Sequence, residues 1–378
     1  MDVDKFKAGT YKVQHGYRRF SPSLINHEWT ISDSKLNHLL SKANHKLGEL
    51  NAFSQFIPDV DFFIRMHVAK EATQSSRIEG TQTTLEEALQ NVEYINPEKR
   101  DDWQEVQNYI EAMNYSIKQL NKLPLSNRLL KQAHKMLLQG VRGKHKYPGE
   151  FRKSQNWIGG ATLTDAVHIP PHHDEINDLM SDLEKFLNDD ELNVPHLIRV
   201  GIAHYQFESI HPFLDGNGRV GRLLITLYLV SNNILVKPAL YLSDFLERNR
   251  NHYYDNLSIV RTKNNLSQWL LFFLVGVLET TQNSIETFHK IINLRQQVEG
   301  NKINKLGKKI PKAQELLNYL YSKPIVDTVE VAEALDVNIT TSHRLIQDFE
   351  KLKILKEQTG YRRNRIFVFE EYLNLFKR

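Results

Sequence analysis

The segment His211-Pro212-Phe213-Leu214-Asp215-Gly216-Asn217-Gly218-Arg219-Val220-Gly221-Arg222 sets the first limit on the fold. It holds Gly216, Gly218 and Gly221 at the spacing of a dinucleotide-binding fingerprint. That fingerprint requires a strand directly before it, inside a βαβ unit. Residues 197–209 instead carry apolar side chains at helical spacing. A protein-kinase glycine loop is excluded too, because no HRD or DFG segment follows, and no GxxxxGK[ST] occurs. The segment therefore reads as helix, tight loop, helix.

The pattern around it is mainly helical. Asn51–Glu79 is broken at Pro58, and Asp61–Glu79 forms one helix with Phe62, Ile64, Val68 and Ala72 as inner positions. Gly80 supplies a left-handed stop. Thr84 and Glu87 form a capping box, and Leu85, Ala88, Leu89 and Val92 continue the apolar stripe. Further helices are predicted at Trp103–Lys122, Ser126–Leu138, Asp174–Asn188, Pro195–Ser209, Gly218–Val230 and Ser267–Phe288. Tyr147–His173 breaks the pattern with glycine pairs, prolines and β-formers, and reads as an inserted loop or short hairpin. The polar, basic stretch 299–311 reads as a linker to a last unit, 312–378. There, helices at 312–321, 328–335 and 340–352 precede strands at 354–356 and 365–369, the order of a winged helix-turn-helix. The fold class is thus mainly α, a helical core with a small β-hairpin and a C-terminal winged helix. The expected divisions are 1–100, 101–298, 299–311 and 312–378.

Charge and composition narrow the function classes. Cysteine is absent, which rules out disulfides, thiolate nucleophiles and Cys-ligated zinc. The most apolar run, Trp269–Leu278, is far short of the roughly 20 residues that span a bilayer. No apolar signal core marks the N-terminus. A soluble, cytoplasmic protein with no membrane partner is expected. Residues 301–378 carry 15 Lys/Arg against 10 Asp/Glu, so the basic excess sits in the last unit.

The chemistry lies in residues 211–222. Gly216, Asn217 and Gly218 expose backbone N–H groups where the next helix begins, which makes an anion nest suited to phosphates. Arg219 and Arg222 lie three apart and reach the same side of that helix. Asp215 adds one carboxylate, the usual protein share of a magnesium held mainly by substrate phosphates. His211 stands at the loop entry, where a neutral imidazole serves as general base. Phe213 anchors the loop. Each residue alone is ordinary; together they point to phosphoryl or nucleotidyl transfer.

At every fixed position this segment resembles the Fic family signature HxFx[D/E]GNGRxxR. The resemblance implies a protein adenylyltransferase that moves AMP from ATP to a Tyr, Ser or Thr hydroxyl of a protein, the chain itself included. It implies His211 as the base, Asp215 as the ligand of Mg²⁺, Gly216, Asn217 and Gly218 as the anion hole, and Arg219 and Arg222 on the outer phosphates. The helix before it, with Ala203, His204, Phe207 and Ile210, is similar to the family's lead-in helix, where His204 is a packed core residue. Trp157–Pro171 sits where the family has a flap that aligns the target by strand addition. Tyr253 and Tyr254 are similar to the tyrosines beside the adenine; helix-face aromatics are their other reading.

Upstream, Ser75-Ser76-Arg77-Ile78-Glu79-Gly80 resembles the family's inhibitory motif [S/T]xxxE[G/N]. Independently, Glu79 closes a helix, where the macrodipole disfavours an anion, so a cationic partner is called for. The resemblance names Arg222. His168, His172 and His173 suggest zinc, but Pro170 and Pro171 forbid the helix that would align them, and no HExxH exists. Two alternatives stand beside AMP transfer. One is AMP removal by the same site, with Glu79 orienting a water. The other is a DNA-binding regulator in which Thr340, Thr341, Ser342, His343 and Arg344 open the recognition helix and Arg362, Arg363 and Arg365 line the wing. The partners expected are ATP, Mg²⁺, a hydroxyl-bearing protein, a second copy of the chain, and DNA or protein at 312–378.

Overall fold

The computed structural model describes residues 1–377 except 15, 58, 141, 362 and 363. The expected break at Pro58 and the wing residues Arg362 and Arg363 lie outside the described residues.

The chain opens with an antiparallel hairpin that the sequence reading did not anticipate, β1 (Gly9–Gln14) and β2 (Tyr17–Pro22). Helix α1 (Ser34–Phe56) follows, capped by Asp33, whose carboxylate accepts the N–H of Lys35 at 2.7 Å. Leu36, Leu40, Ala43, Leu47 and Leu50 form its buried seam, a helical spacing that extends well before residue 51. Helix α2 (Val60–Ile78) is enclosed by neighbours. Ile64, Val68 and Ala72 are buried as expected, but Phe62 is only half-buried, and Phe63 takes the core position. Phe63 meets Tyr321 edge-on, with ring centroids 5.3 Å apart, so a partner from the far C-terminus decides which phenylalanine turns inward.

Gly80 ends α2 with φ +106°. The capping box then forms as read: Thr84 Oγ1 accepts the Glu87 N–H at 3.2 Å, and Glu87 Oε2 accepts the Thr84 N–H at 2.8 Å. The helix it starts, α3 (Leu85–Ala88), is one turn long, and Val92 is exposed in a separate turn instead of extending the stripe. Thr84→Ala is expected to lower stability by about 1 kcal/mol. Urea unfolding monitored by circular dichroism checks this; an unchanged midpoint would mean the box does not stabilise the native state.

Around the site lie α4 (Arg100–Leu120), α5 (Asn127–Leu137), α6 (Ile176–Asn188), α7 (His196–Ile210) and α8 (Asn217–Ser231). Leu197–Ile210 of α7 is buried on every side. Gly201 permits this: a Cβ there would stand 2.9 Å from Leu270 and 3.1 Å from Phe273. Those residues belong to α11 (Leu266–Gln297), reached through α9 (Ser243–Arg248) and α10 (Arg250–Lys263). The insertion at 147–173 contains one antiparallel bridge, Ile158 with His168. Gly159 and Gly160, at φ +68° and +75°, make its turn. The Phe20 N–H donates to the Ile169 carbonyl at 2.9 Å, so β2 braces the insertion's far arm.

The stretch read as a linker is wound, not extended. Residues 298–309 form two short helical turns with Val298 and Ile303 fully buried, and Gly307 at φ +56° breaks the run. Then come α12 (Ile310–Ser322), β3 (Ile325–Asp327), α13 (Thr328–Ala334), α14 (Ile339–Lys351), β4 (Lys356–Glu357), β5 (Ile366–Val368) and α15 (Glu370–Leu373). The three strands form an antiparallel sheet in the order β3-β5-β4. Strand β3 is absent from the sequence reading, being only three residues long. This unit packs on α2 through Tyr321, Tyr372 and Phe376, the last 5.1 Å from His67. Arg365 lies 3.8 Å from Glu350 and 3.9 Å from Glu357. Among the described residues, no helix is long and apolar enough to cross a membrane.

Candidate active site

The α7–α8 loop is built by a small set of long-range bonds. His211 ends α7 in a left-handed conformation, φ +50°, with its N–H on the Phe207 carbonyl at 2.9 Å. Phe213 is fully buried and stacks on His134, centroids 3.8 Å apart and planes 10° from parallel. The Asn217 side chain closes the loop on Phe213: its Oδ1 accepts the Phe213 N–H and its Nδ2 donates to the Phe213 carbonyl, both at 2.8 Å. Gly216 takes φ +73°. The His134 Nδ1 accepts the Gly149 N–H at 2.8 Å, so its Nε2 carries the proton given to the Asp215 carbonyl at 3.0 Å. Burial pushes His134 down to about 4, which keeps this tautomer neutral.

The first turn of α8 is where an anion belongs, and a carboxylate of the chain lies there. A Cβ at Gly218 would collide with Glu79 Oε1 and stand 3.0 Å from Arg222 Nη1. Arg222 is buried and bound to the end of α2 three times: Nε to Ser75 Oγ at 2.8 Å, Nη2 to the Ser75 carbonyl at 2.9 Å, and Nη2 to Glu79 Oε1 at 2.6 Å. The Glu79 side chain is 34% exposed. Partial burial works against its charge, but the Arg222 guanidinium outweighs it and holds the carboxyl below the usual range.

Arg219 is held elsewhere. Its Nη1 donates to Glu105 Oε2 of α4 at 3.0 Å, so the two arginines three apart answer to different helices. Asp215 extends outward with its side chain 46% exposed, and its Oδ1 accepts the Gly216 N–H at 2.6 Å. A lone exposed carboxylate beside an anion nest fits a magnesium shared with phosphate oxygens.

His211 is half-buried, and burial, reinforced by the Arg152 cation, pushes its imidazole down to about 4. A neutral ring at neutral pH is the form a general base needs. Arg152 clamps the base of the insertion to this loop. It donates from Nε to the His211 carbonyl at 2.9 Å and from Nη2 to the Pro171 carbonyl at 2.6 Å. Asn156 Nδ2 adds a bond to the Phe213 carbonyl at 2.9 Å.

The tyrosine pair divides. Tyr253 is buried and its hydroxyl donates to His204 Nε2 at 2.9 Å, while His204 Nδ1 donates to the Gly221 carbonyl at 2.8 Å. Tyr254 is 39% exposed and offers ring surface. His168 is turned into the core with Nε2 3.2 Å from the Ser209 carbonyl, while His172 and His173 stand with Asp174, their ligand atoms within 4.8 Å of one another. The sequence reading missed His134, Arg152, Asn156, Glu105 and Glu208. Glu208 is buried one turn before His211, and burial pushes its carboxyl up to about 7. A charge on the fully buried helix of residues 197–210 was the one available signal.

Residues 37–118 match the Fic/DOC family N-terminal model, and residues 124–229 match the Fic/DOC family model. A protein adenylyltransferase Fic of Culex quinquefasciatus is 38% identical over 113 residues, covering 29% of this chain and 20% of that protein. One of Drosophila grimshawi is 29% identical over 187 residues, covering 48% of this chain and 36% of that protein. The alignments thus span about a fifth to a third of these curated relatives. Among solved structures, a Fic family protein from Desulfovibrio desulfuricans G20 superposes with a TM-score of 0.58 at 20% identity, over 89% of this chain and 96% of that one. Fic-1 (residues 134–508) from C. elegans superposes at 0.51 with 18% identity, over 68% of this chain and 74% of that one.

Proposed function

We propose that this chain, a Fic family protein through residues 37–118 and 124–229, transfers AMP from ATP to a hydroxyl side chain of a protein and is restrained by its own Glu79. The observation that carries this reading is the Glu79 carboxylate at the first turn of α8, bonded to Arg222 where a phosphate would bind. The target hydroxyl gives its proton to His211 as its oxygen bonds to the α-phosphorus. The bond from that phosphorus to the bridging oxygen breaks, and pyrophosphate leaves. Backbone N–H groups at Gly216–Gly218 hold the phosphate oxygens, and Tyr254 supplies ring surface for the base. Asp215 would hold Mg²⁺, which supplies positive charge to the phosphates when bound.

Incubation with α-labelled and γ-labelled ATP tests this. Label retained on protein only from the α position supports AMP transfer; retention from γ, or from neither, removes it. Asp215→Ala is expected to abolish the magnesium response together with most of the activity, since Asp215 is the one carboxylate in residues 211–222. A variant with a normal magnesium titration would place the metal elsewhere.

We also read 310–377 as a winged helix, from its element order and its antiparallel sheet. Ile339, Thr340 and Arg344 are exposed at the start of α14, which supports a docking role. The cation pairing of Arg365 with Glu350 and Glu357 favours protein over DNA as its partner. Salt-dependent retention of the chain on DNA would reverse that preference.

A further inference from the structure

Glu79 and Glu105 both bind an arginine of residues 211–222, but the two pairs differ in geometry. Glu79 enters the nest itself, above the bare Cα of Gly218. Glu105 reaches Arg219 from α4 and engages one corner of the guanidinium, Nη1. Neither of the other nitrogens makes a hydrogen bond among the described residues. Arg219 Nε is buried without a hydrogen-bond partner, and Nη2 stands 3.9 Å from Asp215 Oδ1, outside hydrogen-bond range. A buried guanidinium with an unpaired Nε lacks an acceptor on that edge.

Glu105 is itself held. Its Oε1 accepts from Arg142 Nη1 at 3.3 Å, and the same Nη1 donates to Asp102 Oδ1 at 2.6 Å. Asp102 Oδ2 accepts the N–H of Gln82 at 2.8 Å, tying the network to the strap that follows α2. Beside it opens a cavity of about 330 Å³, bordered by Gln104, Glu105, Gly140, Arg142, Asp215 and Arg219. Arg219 therefore stands between a fixed carboxylate on one side and open space next to Asp215 on the other.

We propose that Glu105 is a positioning residue for nucleotide binding: it fixes Arg219 by Nη1 so that Nη2 stays free for a phosphate held beside Asp215. This rests on the AMP-transfer reading, and it gives the two carboxylates opposite effects. Glu79 competes with phosphate for Arg222; Glu105 prepares Arg219 for it. A planar guanidinium held at one corner loses less freedom when it takes up a second anion.

The test is calorimetric titration of ATP with magnesium into the full chain carrying Glu79→Gly, which vacates the nest and makes no use of turnover. Adding Glu105→Ala is expected to weaken ATP binding about tenfold, the scale of one immobilised side chain set loose. Glu105→Gln keeps an acceptor for Nη1 and is expected to restore most of the affinity. On an Arg219→Ala background, Glu105→Ala is expected to add nothing, because its effect runs through Arg219. Arg142→Ala removes a half-exposed partner of Glu105 and is expected to weaken ATP binding several-fold, again only when Arg219 is present. It carries the test should Glu105→Ala fail to fold. Unchanged or tighter ATP binding by Glu105→Ala overturns the proposal, the latter by making Glu105 a second competitor. A loss of the same size on the Arg219→Ala background overturns it too, as a structural effect. No ATP binding by the Glu79→Gly reference overturns the AMP-transfer reading as well, so the two failures are distinct.

Discussion

His211→Ala is expected to lower AMP transfer by about 10²–10⁴-fold, the usual scale for loss of a general base, with ATP affinity nearly unchanged. The imidazole is proposed to handle a proton and, among the described residues, makes no hydrogen bond to the nest, whereas the groups proposed to face phosphate are Gly216–Gly218, Arg219 and Arg222. The left-handed turn at His211 is fixed through its backbone, by the N–H bond to Phe207 and by Arg152 on its carbonyl, so the loop survives loss of the ring. The effect therefore falls on kcat. The pH profile follows from the same surroundings. With the imidazole pushed down to about 4 by burial and by Arg152, the base form persists well below its ordinary value. The acid limb of kcat/KM is expected near pH 4, provided the fold survives there, and not near 6.5. Near-normal labelling by His211→Ala, or an acid limb at 6.5 that vanishes in the variant, would overturn one half of this account each.

Glu79→Gly is expected to raise transfer, the reverse of most changes beside an active site. Nothing else in the nest has to move. Once the carboxylate is gone, Arg222 keeps its two bonds to Ser75, so the guanidinium stays in place with capacity for a phosphate. The Glu79 contact is a single bond from Nη2 to Oε1, not the bidentate fork that a carboxylate–guanidinium pair can form. Even so it places a negative charge at the helix start that the γ-phosphate needs. A triphosphate displaced by about 1 Å can lose roughly 100-fold in rate, which sets the upper scale of the gain. Self-labelling with α-labelled ATP measures it. The gain should vanish when Arg222→Ala is added. Unchanged or lower labelling by a folded Glu79→Gly chain would reject inhibition and favour a role for Glu79 in orienting a water for AMP removal.

Local signals in the sequence were enough for the helices that carry the site. Thr84 and Glu87, Gly80, and the glycine spacing of 216–221 each act over a few residues, and the structure repeats them. What escaped depends on distance along the chain. His134 meets Asp215 across 81 positions, and Arg219 meets Glu105 across 114, and neither pairing leaves a periodic trace. The choice of Phe63 over Phe62 is made by Tyr321. The hairpin at Gly9–Pro22 has a turn that falls partly outside the described residues, and its alternation of apolar and polar residues is short. The stretch 299–311 is polar enough to resemble a tether, yet Ile303 within it and Val298 just before it are fully buried, with Leu306 and Ile310 packed beside them.

Glu79 and Arg222 lie 143 residues apart on one folded chain, so their encounter is unimolecular. Dilution does not separate them, as it would an inhibitor subunit. The folded scaffold presents the carboxylate to the guanidinium at a constant effective concentration, on the order of millimolar or above for tethered groups. Under the proposed inhibition, nucleotide is then the competing species, and the fraction of molecules released is expected to depend on how much ATP is present, not on how much protein.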